Sequence, residues 1–442
     1  MSFRTTIILA ILLIGLGAFA YFYEYKGGEE REKKKAEEKT LLKVKKEDVA
    51  EVDIQGLEKP IKAVPAGDNW KLTSPIDSRA DSATVERILG NFENLKYQQI
   101  IEESPKDLAQ YGLDKPKLTV ELTLKKDGKK ETLQIGAKNP VENSCYIRLN
   151  GSPRVYMADG TVGDIGNTTL FDLRDKKLTD FVSEKVQSLS LRTTSDDFQF
   201  KKESGIWKMV KPVDSPASDS EISSFLSALE FLRATKFIDQ PSTDLSQYGL
   251  KDPAASVGIA QEKGMQQTID FGKKEGEQLY VNVGNTIAAV SDSFTTYFQK
   301  KLEDWREKKL LIFNRFDAAD VFIKTSGKEY HFKKATEDKW SQEAPAKAEI
   351  DGDKLQDLLQ NLETAEIVKY SDTAALKGAP SLEIFVTLKD WQDKTSKKHL
   401  VFGESDGNLQ AVKNDDYNTV VSVNGSVQQS IVKALGEIKP KK

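Results

Sequence analysis

The sequence predicts an α+β protein: an N-terminal transmembrane helix followed by three tandem repeats, each a mainly antiparallel sheet with one long amphipathic helix. Three observations carry this expectation. Nineteen residues without a charge, 5–23, stand near the start of the chain. Tryptophans at positions 70, 207 and 340 recur at intervals of 137 and 133 residues. Eleven residues after each tryptophan, a helix-capping residue opens the same apolar stripe.

Composition sets the outer limits. A chain of 442 residues has room for about three domains. With 65 basic and 69 acidic residues interleaved and a net charge of −4, no lasting field of one sign favours nucleic acid. A single cysteine, Cys145, excludes an internal disulfide framework.

The first element is the membrane anchor, expected over 1–23. The uncharged run is at the short end of a bilayer-spanning length and finishes in Phe19, Tyr21, Phe22 and Tyr23, an aromatic cluster of interfacial type. Ala18-Phe19-Ala20 offers the rival reading of a cleaved signal peptide, but the apolar stretch outruns a signal core. Arg4 precedes the span, whereas Lys26, Arg31, Lys33, Lys34, Lys35 and Lys39 follow it. Counted strictly, that asymmetry places the bulk of the chain in the cytoplasm. Residues 24–42 are expected to form a charged tether, with Glu29/Lys33 and Glu30/Lys34 at helix-supporting spacing.

Three repeats are expected at 43–181, 182–313 and 314–438. "WKLTSPIDS" at Trp70 matches "WKMVKPVDS" at Trp207 and, more faintly, "WSQEAPAKA" at Trp340. Asp81, Ser218 and Asp351 are helix caps, since a side-chain oxygen there can accept an orphan backbone N–H. The stripes that follow are Val85, Ile88, Leu89, Phe92, Leu95; Ile222, Phe225, Leu226, Leu229, Leu232; and Leu355, Leu358, Leu359, Leu362, Ala365. Their spacing predicts one helix of about five turns in each copy.

A near-identical phrase comes next, "DLAQYGLDKP" (107–116) and "DLSQYGLKDP" (244–253). Ser104-Pro105-Lys106-Asp107 begins like a short helix, with Ser104 as cap, Pro105 at the first position and Asp107 at the third; Gly112 and Gly249 stop it in the left-handed region, and Pro116 and Pro253 prevent resumption. "ALKGAP" keeps Gly378 and Pro380 in the third copy. Strands follow, with Leu118, Val120, Leu122 and Leu124 alternating with polar residues, as do Leu382, Ile384, Val386 and Leu388. "LQIG", "IDFG" and "LVFG" end at Gly136, Gly272 and Gly403. "LRDKKL" and "WREKKL" close the first two copies.

Little in the chain points to chemistry. His331 and His399 lie on strand-like segments without zinc-ligand spacing, so surface strand positions are expected. Cys145 aligns with Leu279 and Leu409, a core position rather than a reactive thiol. Asp351-Gly352-Asp353 lacks the later ligands of a calcium loop, and "SGIWK" at Ser204 has the wrong spacing for a Ser-x-x-Lys site. Nucleophile-elbow, zinc-protease, Walker and Rossmann motifs are missing. No catalytic, metal or cofactor residue is assigned. The three repeat tryptophans are expected in the core rather than as stacking platforms.

With these residues in view, the chain resembles the bacterial membrane-anchored family with a repeated domain of unknown function, number 4340. The W-K…P-x-D-S segment, the Q-Y-G-L…P turn and the I/F-G strand ending carry the likeness, strongest in copies one and two. The third copy departs at the Pro-Asp-Ser and Tyr-Gly positions. The resemblance implies an anchored, extracytoplasmic envelope protein associated with ABC-type transporters of the gliding-motility type, and it carries over no catalytic residues. The resulting expectation is a non-enzymatic scaffold or accessory subunit, with protein partners and the membrane, no nucleic acid and no cofactor. A binding module for a cell-envelope polymer or lipid is the alternative, and an unrecognised hydrolase a third reading.

Overall fold

A run that is apolar from Ile7 onward, preceded by Arg4, Thr5 and Thr6 and carrying glycines at 15 and 17, forms α1 (Phe3–Phe19), whose Leu13, Ile14 and Leu16 side chains are exposed. The structure is a computed structural model that describes residues 3–19, 21, 37–139, 143–239, 244–336, 339–371, 375–417 and 419–441. At 17 residues α1 is about 26 Å long, short of the roughly 30 Å hydrocarbon thickness. The expected membrane-crossing helix is therefore not found: among the described residues no helix is long and apolar enough to cross a membrane. The charged centre of the expected tether, with Glu29, Glu30, Lys33 and Lys34, lies outside the described residues. The last part of 24–42 is not tether: Thr40–Leu42 is a short strand paired with Leu95–Lys96.

Period-two alternation in the rest of the chain yields three nine-stranded antiparallel sheets. In the first repeat, β1 (Val49–Gln55), β2 (Ile61–Ala66), β3 (Asn69–Ser74) and β4 (Ser78–Arg79) step by tight connections to one edge. Helix α2 (Ser82–Glu93) then carries the chain to the opposite edge, where β5 (Gln99–Glu102) lies. The chain returns to the middle as β6 (Leu118–Leu124) against β1 and steps outward through β7 (Lys130–Asn139), β8 (Ser144–Leu149) and β9 (Val155–Asp159) to meet β5. The order across the sheet is β4-β3-β2-β1-β6-β7-β8-β9-β5. The other two sheets repeat it strand for strand.

One face of each sheet is buried by the repeat's helix: α2, α3 (Asp219–Glu230) or α4 (Gly352–Glu363). Asp81 accepts from Thr84 N at 2.8 Å, Ser218 from Glu221 N at 3.4 Å and Asp351 from Asp353 N at 3.1 Å, so all three expected caps form. Four stripe residues of each helix are buried, each adding roughly 1.5–3 kcal/mol by removal from water. The helices are shorter than the stripe implied, with 12 residues each, about three turns. Leu95, Leu232 and Ala365 lie beyond the helix ends, and the stripe persists because the exiting chain stays against the core. The third repeat also departs from one long helix per copy: α5 (Ser426–Glu437) buries Ile431, Ala434 and Leu435.

The repeated phrase works at the return to the middle of the sheet. It forms short 3-10 helices, Ala109–Tyr111 and Leu245–Tyr248, ending at Gly112 (φ 64°) and Gly249 (φ 67°). Leu113 N donates to Leu108 O at 3.0 Å and Leu250 N to Leu245 O at 3.1 Å, the long bond of a Schellman ending. Asp107, not Ser104, meets the first amide of the turn: Asp107 Oδ1 accepts from Ala109 N, as Asp244 Oδ1 does from Ser246 N. To reach the centre the turn must pass close over the end of β7. There Gly136 and Gly272 leave space for the carbonyls of Tyr111 and Tyr248.

The chain divides into two compact units, Met1–Lys176 and Lys177–Lys442, the second holding repeats two and three. Within the second unit, the segment after Trp305 serves both repeats. Ser218 N donates to Trp305 O at 2.8 Å and Ala217 bridges to Arg306, in repeat two. A few residues on, Leu310 N donates to Ala365 O at 2.8 Å and Lys309 bridges to Glu366, in repeat three.

Candidate functional site

The positions weighed for chemistry fall mostly into structure. Trp70, Trp207 and Trp340 are buried, one in each core. Cys145 is buried too, and burial pushes its thiol up to about 11. Strand register makes its third-repeat counterpart the buried Gln410 rather than Leu409, because Ile147, Val281 and Val412 are the equivalent neighbours. Among the described residues no group of three or more His, Cys, Asp or Glu is arranged to hold a metal ion.

The repeats differ on the sheet face turned away from the helix. Four registered central positions read Lys62, Asp53, Glu121, Thr132 in the first repeat. They are Gln199, Ser190, Gly258, Thr268 in the second. In the third they become His331, Phe322, Phe385, His399. One position along, on the helix side, the same strands carry buried aliphatics throughout: Val52, Leu189 and Val321; Ile54, Leu191 and Ile323. The inner face is held constant while the outer face changes its chemistry.

Each outer row has its own character. Lys62 Nζ lies 3.0 Å from Asp53 and 3.3 Å from Glu51, an ionic row. The small residues of the second row leave a hollow of about 400 Å³ beside Ser190 and Gly258. The third row is aromatic. His399 stacks on Phe385 with centroids 4.1 Å apart and planes 4° apart. Phe322 lies 6.1 Å from Phe385 and meets His331 edge-on at 5.8 Å. Carboxylates fix both imidazoles: His331 Nε2 is 2.8 Å from Asp320, while His399 lies 2.9 Å from Asp415 through Nδ1 and 3.0 Å from Glu383 through Nε2. With both ring nitrogens engaged, the ring of His399 is held in one orientation.

This row adjoins the junction of repeats two and three. Tyr417 O–H donates to Lys309 O at 2.6 Å, Tyr370 O–H to Glu307 O at 2.7 Å and Asn414 Nδ2 to Leu310 O at 2.6 Å. Burial raises both phenols above their ordinary range, so they stay neutral donors. Beside them lies a cleft of about 410 Å³. Its walls are the Ser204–Lys208 hairpin singled out in the sequence, the 214–216 segment of repeat two, and Lys398, Asp415, Asp416 and Tyr417 of repeat three. Sequence analysis missed Phe322, Phe385, Asp415 and Asp416. The available signal was Phe322 and Phe385 standing on the polar phase of otherwise alternating strands.

Three copies of a nine-stranded sheet closed by a capped helix, with divergent outer faces, define a tandem-repeat α+β protein. Its sequence matches the family described as "Domain of unknown function (DUF4340)" over residues 70–205 and 207–382, and the chain belongs to that family. Both matched segments open at a repeat tryptophan position. Among curated proteins no match is found. Among solved structures, a DNA polymerase sliding clamp from Pseudomonas aeruginosa with ligand is similar at 8% identity and TM-score 0.16, covering 88% of this chain and 95% of that one. The DNA polymerase III subunit beta from the same organism is similar at 7% identity and TM-score 0.15, with the same coverage. At those scores neither likeness carries an argument.

Proposed function

We infer that the protein is a non-enzymatic scaffold or accessory subunit of a bacterial envelope complex, held at a membrane by residues 1–23 and lying mainly outside the cytoplasm. The supporting observation is the contrast between faces. Three cores share one pattern, while the outer rows run from ionic through small and polar to aromatic. A chain that keeps its core and varies its outer faces presents different surfaces to partners from a single framework. The exposed apolar side chains of α1 support attachment to a membrane. An ABC-type transporter subunit is the partner class that the family resemblance implies. A polymer-binding aromatic groove built on the repeat tryptophans loses its basis, since all three are buried.

A photoreactive residue placed at Phe322, Glu121 or Gly258 on the outer faces tests the scaffold reading in intact cells. Crosslinks from at least two of these positions to one membrane complex, with none from buried Val321, are the expected result. A reporter fused after Lys442 tests location separately. Activity only in the cytoplasm would overturn the extracytoplasmic placement.

A further inference from the structure

One end of the third sheet departs from its two counterparts. In repeat three the central hairpin joins Leu382–Lys389 to Thr395–Asp406. Between the registered pairs Thr123–Lys130, Ala260–Gln266 and Thr387–Lys397 lie six, five and nine residues, so the third tip is the longest. It carries Trp391, which is 89% exposed. At the same end of the sheet Ala318 pairs with Leu388, and the turn just before Ala318 holds Phe316, 61% exposed. Glu47 and Glu184 occupy that turn position in the other repeats. Two aromatic side chains in water at one end of one copy are not required by the fold, since the other copies do without them.

The charges around the tip select the kind of surface it fits. Asp390 Oδ1 accepts from Gln392 N at 2.8 Å and Lys394 N at 2.9 Å, while Asp393 pairs with Lys389 at 2.8 Å, so both carboxylates are engaged within the hairpin. Asp320, in the row of Lys397, is held by His331 at 2.8 Å. Lys394 and Lys397 are exposed, and among the described residues no carboxylate pairs with either. Near Phe316 the cations are occupied: Arg315 pairs with Glu363 at 3.2 Å, and Lys334 Nζ donates to the Phe316 carbonyl at 2.9 Å. Two free lysines thus flank a projecting indole. We propose that this end of repeat three is a second membrane contact, with Trp391 and Phe316 seated at the headgroup level of an anionic lipid surface and Lys394 and Lys397 on its phosphates. The proposal rests on the membrane attachment inferred above and adds the face that a globular repeat turns to the lipid. The exposed apolar side chains of α1 give the same chain its first such contact.

Trp391 reports on itself, because the other four tryptophans are buried. The full chain is mixed with vesicles of phosphatidylcholine and phosphatidylglycerol, with and without lipid brominated near the top of the acyl chain. Co-sedimentation reads the attachment through 1–23, and fluorescence reads this contact separately. On vesicles, the component that iodide reaches should become shielded from iodide and quenched by the brominated lipid, and Trp391→Phe should remove both signals. Lys394→Gln combined with Lys397→Gln should lower the brominated-lipid quenching severalfold while co-sedimentation holds. A chain that co-sediments with Trp391 still open to iodide would overturn this contact and leave the attachment through 1–23 standing. Quenching indifferent to the lysine substitutions would overturn it as well. Shielding from iodide without quenching by brominated lipid would make the occupant another protein surface and overturn the lipid assignment. A chain that does not co-sediment would overturn both contacts.

Discussion

The carbonyl oxygen of Tyr111 occupies the space that a side chain at Gly136 would need. The same relationship holds between Tyr248 and Gly272. In the third repeat, Leu376 and Lys377 crowd Gly403 in the corresponding place. The repeated ten-residue phrase and the Ile/Phe-Gly strand ending are therefore two halves of one contact, and a copy of one requires a copy of the other.

Gly136→Ala should destabilise the protein by about 1–3 kcal/mol, because backbone rather than a flexible side chain must give way. Urea unfolding followed by circular dichroism measures it. A midpoint equal to that of the wild-type chain would show that the turn can lift off β7 without loss.

Gly112→Val and Gly128→Val form a matched pair. Both glycines are left-handed, at φ 64° and 67°, but Gly128 faces open space whereas Gly112 abuts Ala137. The left-handed conformation alone costs roughly 1–2 kcal/mol, so Gly128→Val should lose about that and Gly112→Val clearly more. If Gly112→Val instead left stability untouched and removed partner crosslinks, the phrase would be a recognition site.

Asp81→Ala, Ser218→Ala and Asp351→Ala should each cost about 1 kcal/mol, since each removes the same cap in a different repeat. Well-separated sites add, so the triple variant should lose close to the sum. Thermal melts of the single and triple variants check this.

Fluorescence quenching reads the tryptophan assignment directly. Trp391 is 89% exposed at a hairpin tip, while Trp70, Trp207, Trp305 and Trp340 are buried. Iodide should quench one component, and Trp391→Phe should abolish it. A remaining quenchable fraction would place a repeat tryptophan at the surface.

Cys145 should resist iodoacetamide in the folded chain at pH 8, where a thiol titrating near 11 is about one part in a thousand thiolate. Unfolding should expose it with an ordinary pKa of about 8.5. The unfolded state then holds fewer protons between those two values, so this group's stabilising contribution is full below about 8.5 and falls as pH rises toward 11. Rapid native labelling at pH 8 would refute the buried assignment.

What could be foreseen depended on how local its cause was. The caps at Asp81, Ser218 and Asp351 and the four-residue stripes after them are set within one helix, and they form as expected. The ends were misjudged because Leu95, Leu232 and Ala365 continue the apolar rhythm after the backbone has left the helix; the core does not distinguish the two. Asp107 serves the turn in place of Ser104 because the helical residues start at Ala109, four after the proline. The aromatic row was out of reach: Phe322 and His399 stand 77 positions apart and share a row only through two strand registers, by way of Phe385. The cleft needs loops from two repeats, and no single-repeat pattern contains it.

Because the segment after Trp305 completes repeat two and then fills a groove in repeat three, no clean cut separates them. A fragment beginning at Asn314 would keep the acceptor carbonyl of Ala365 and the amide of Asn414 but lose Leu310, which both of them hold. The vacant groove would accept the same segment from another molecule, so excised third repeats should pair with longer chains by exchange. The linker here is a shared structural member, and shortening the protein from its front would convert a monomer-building contact into an intermolecular one.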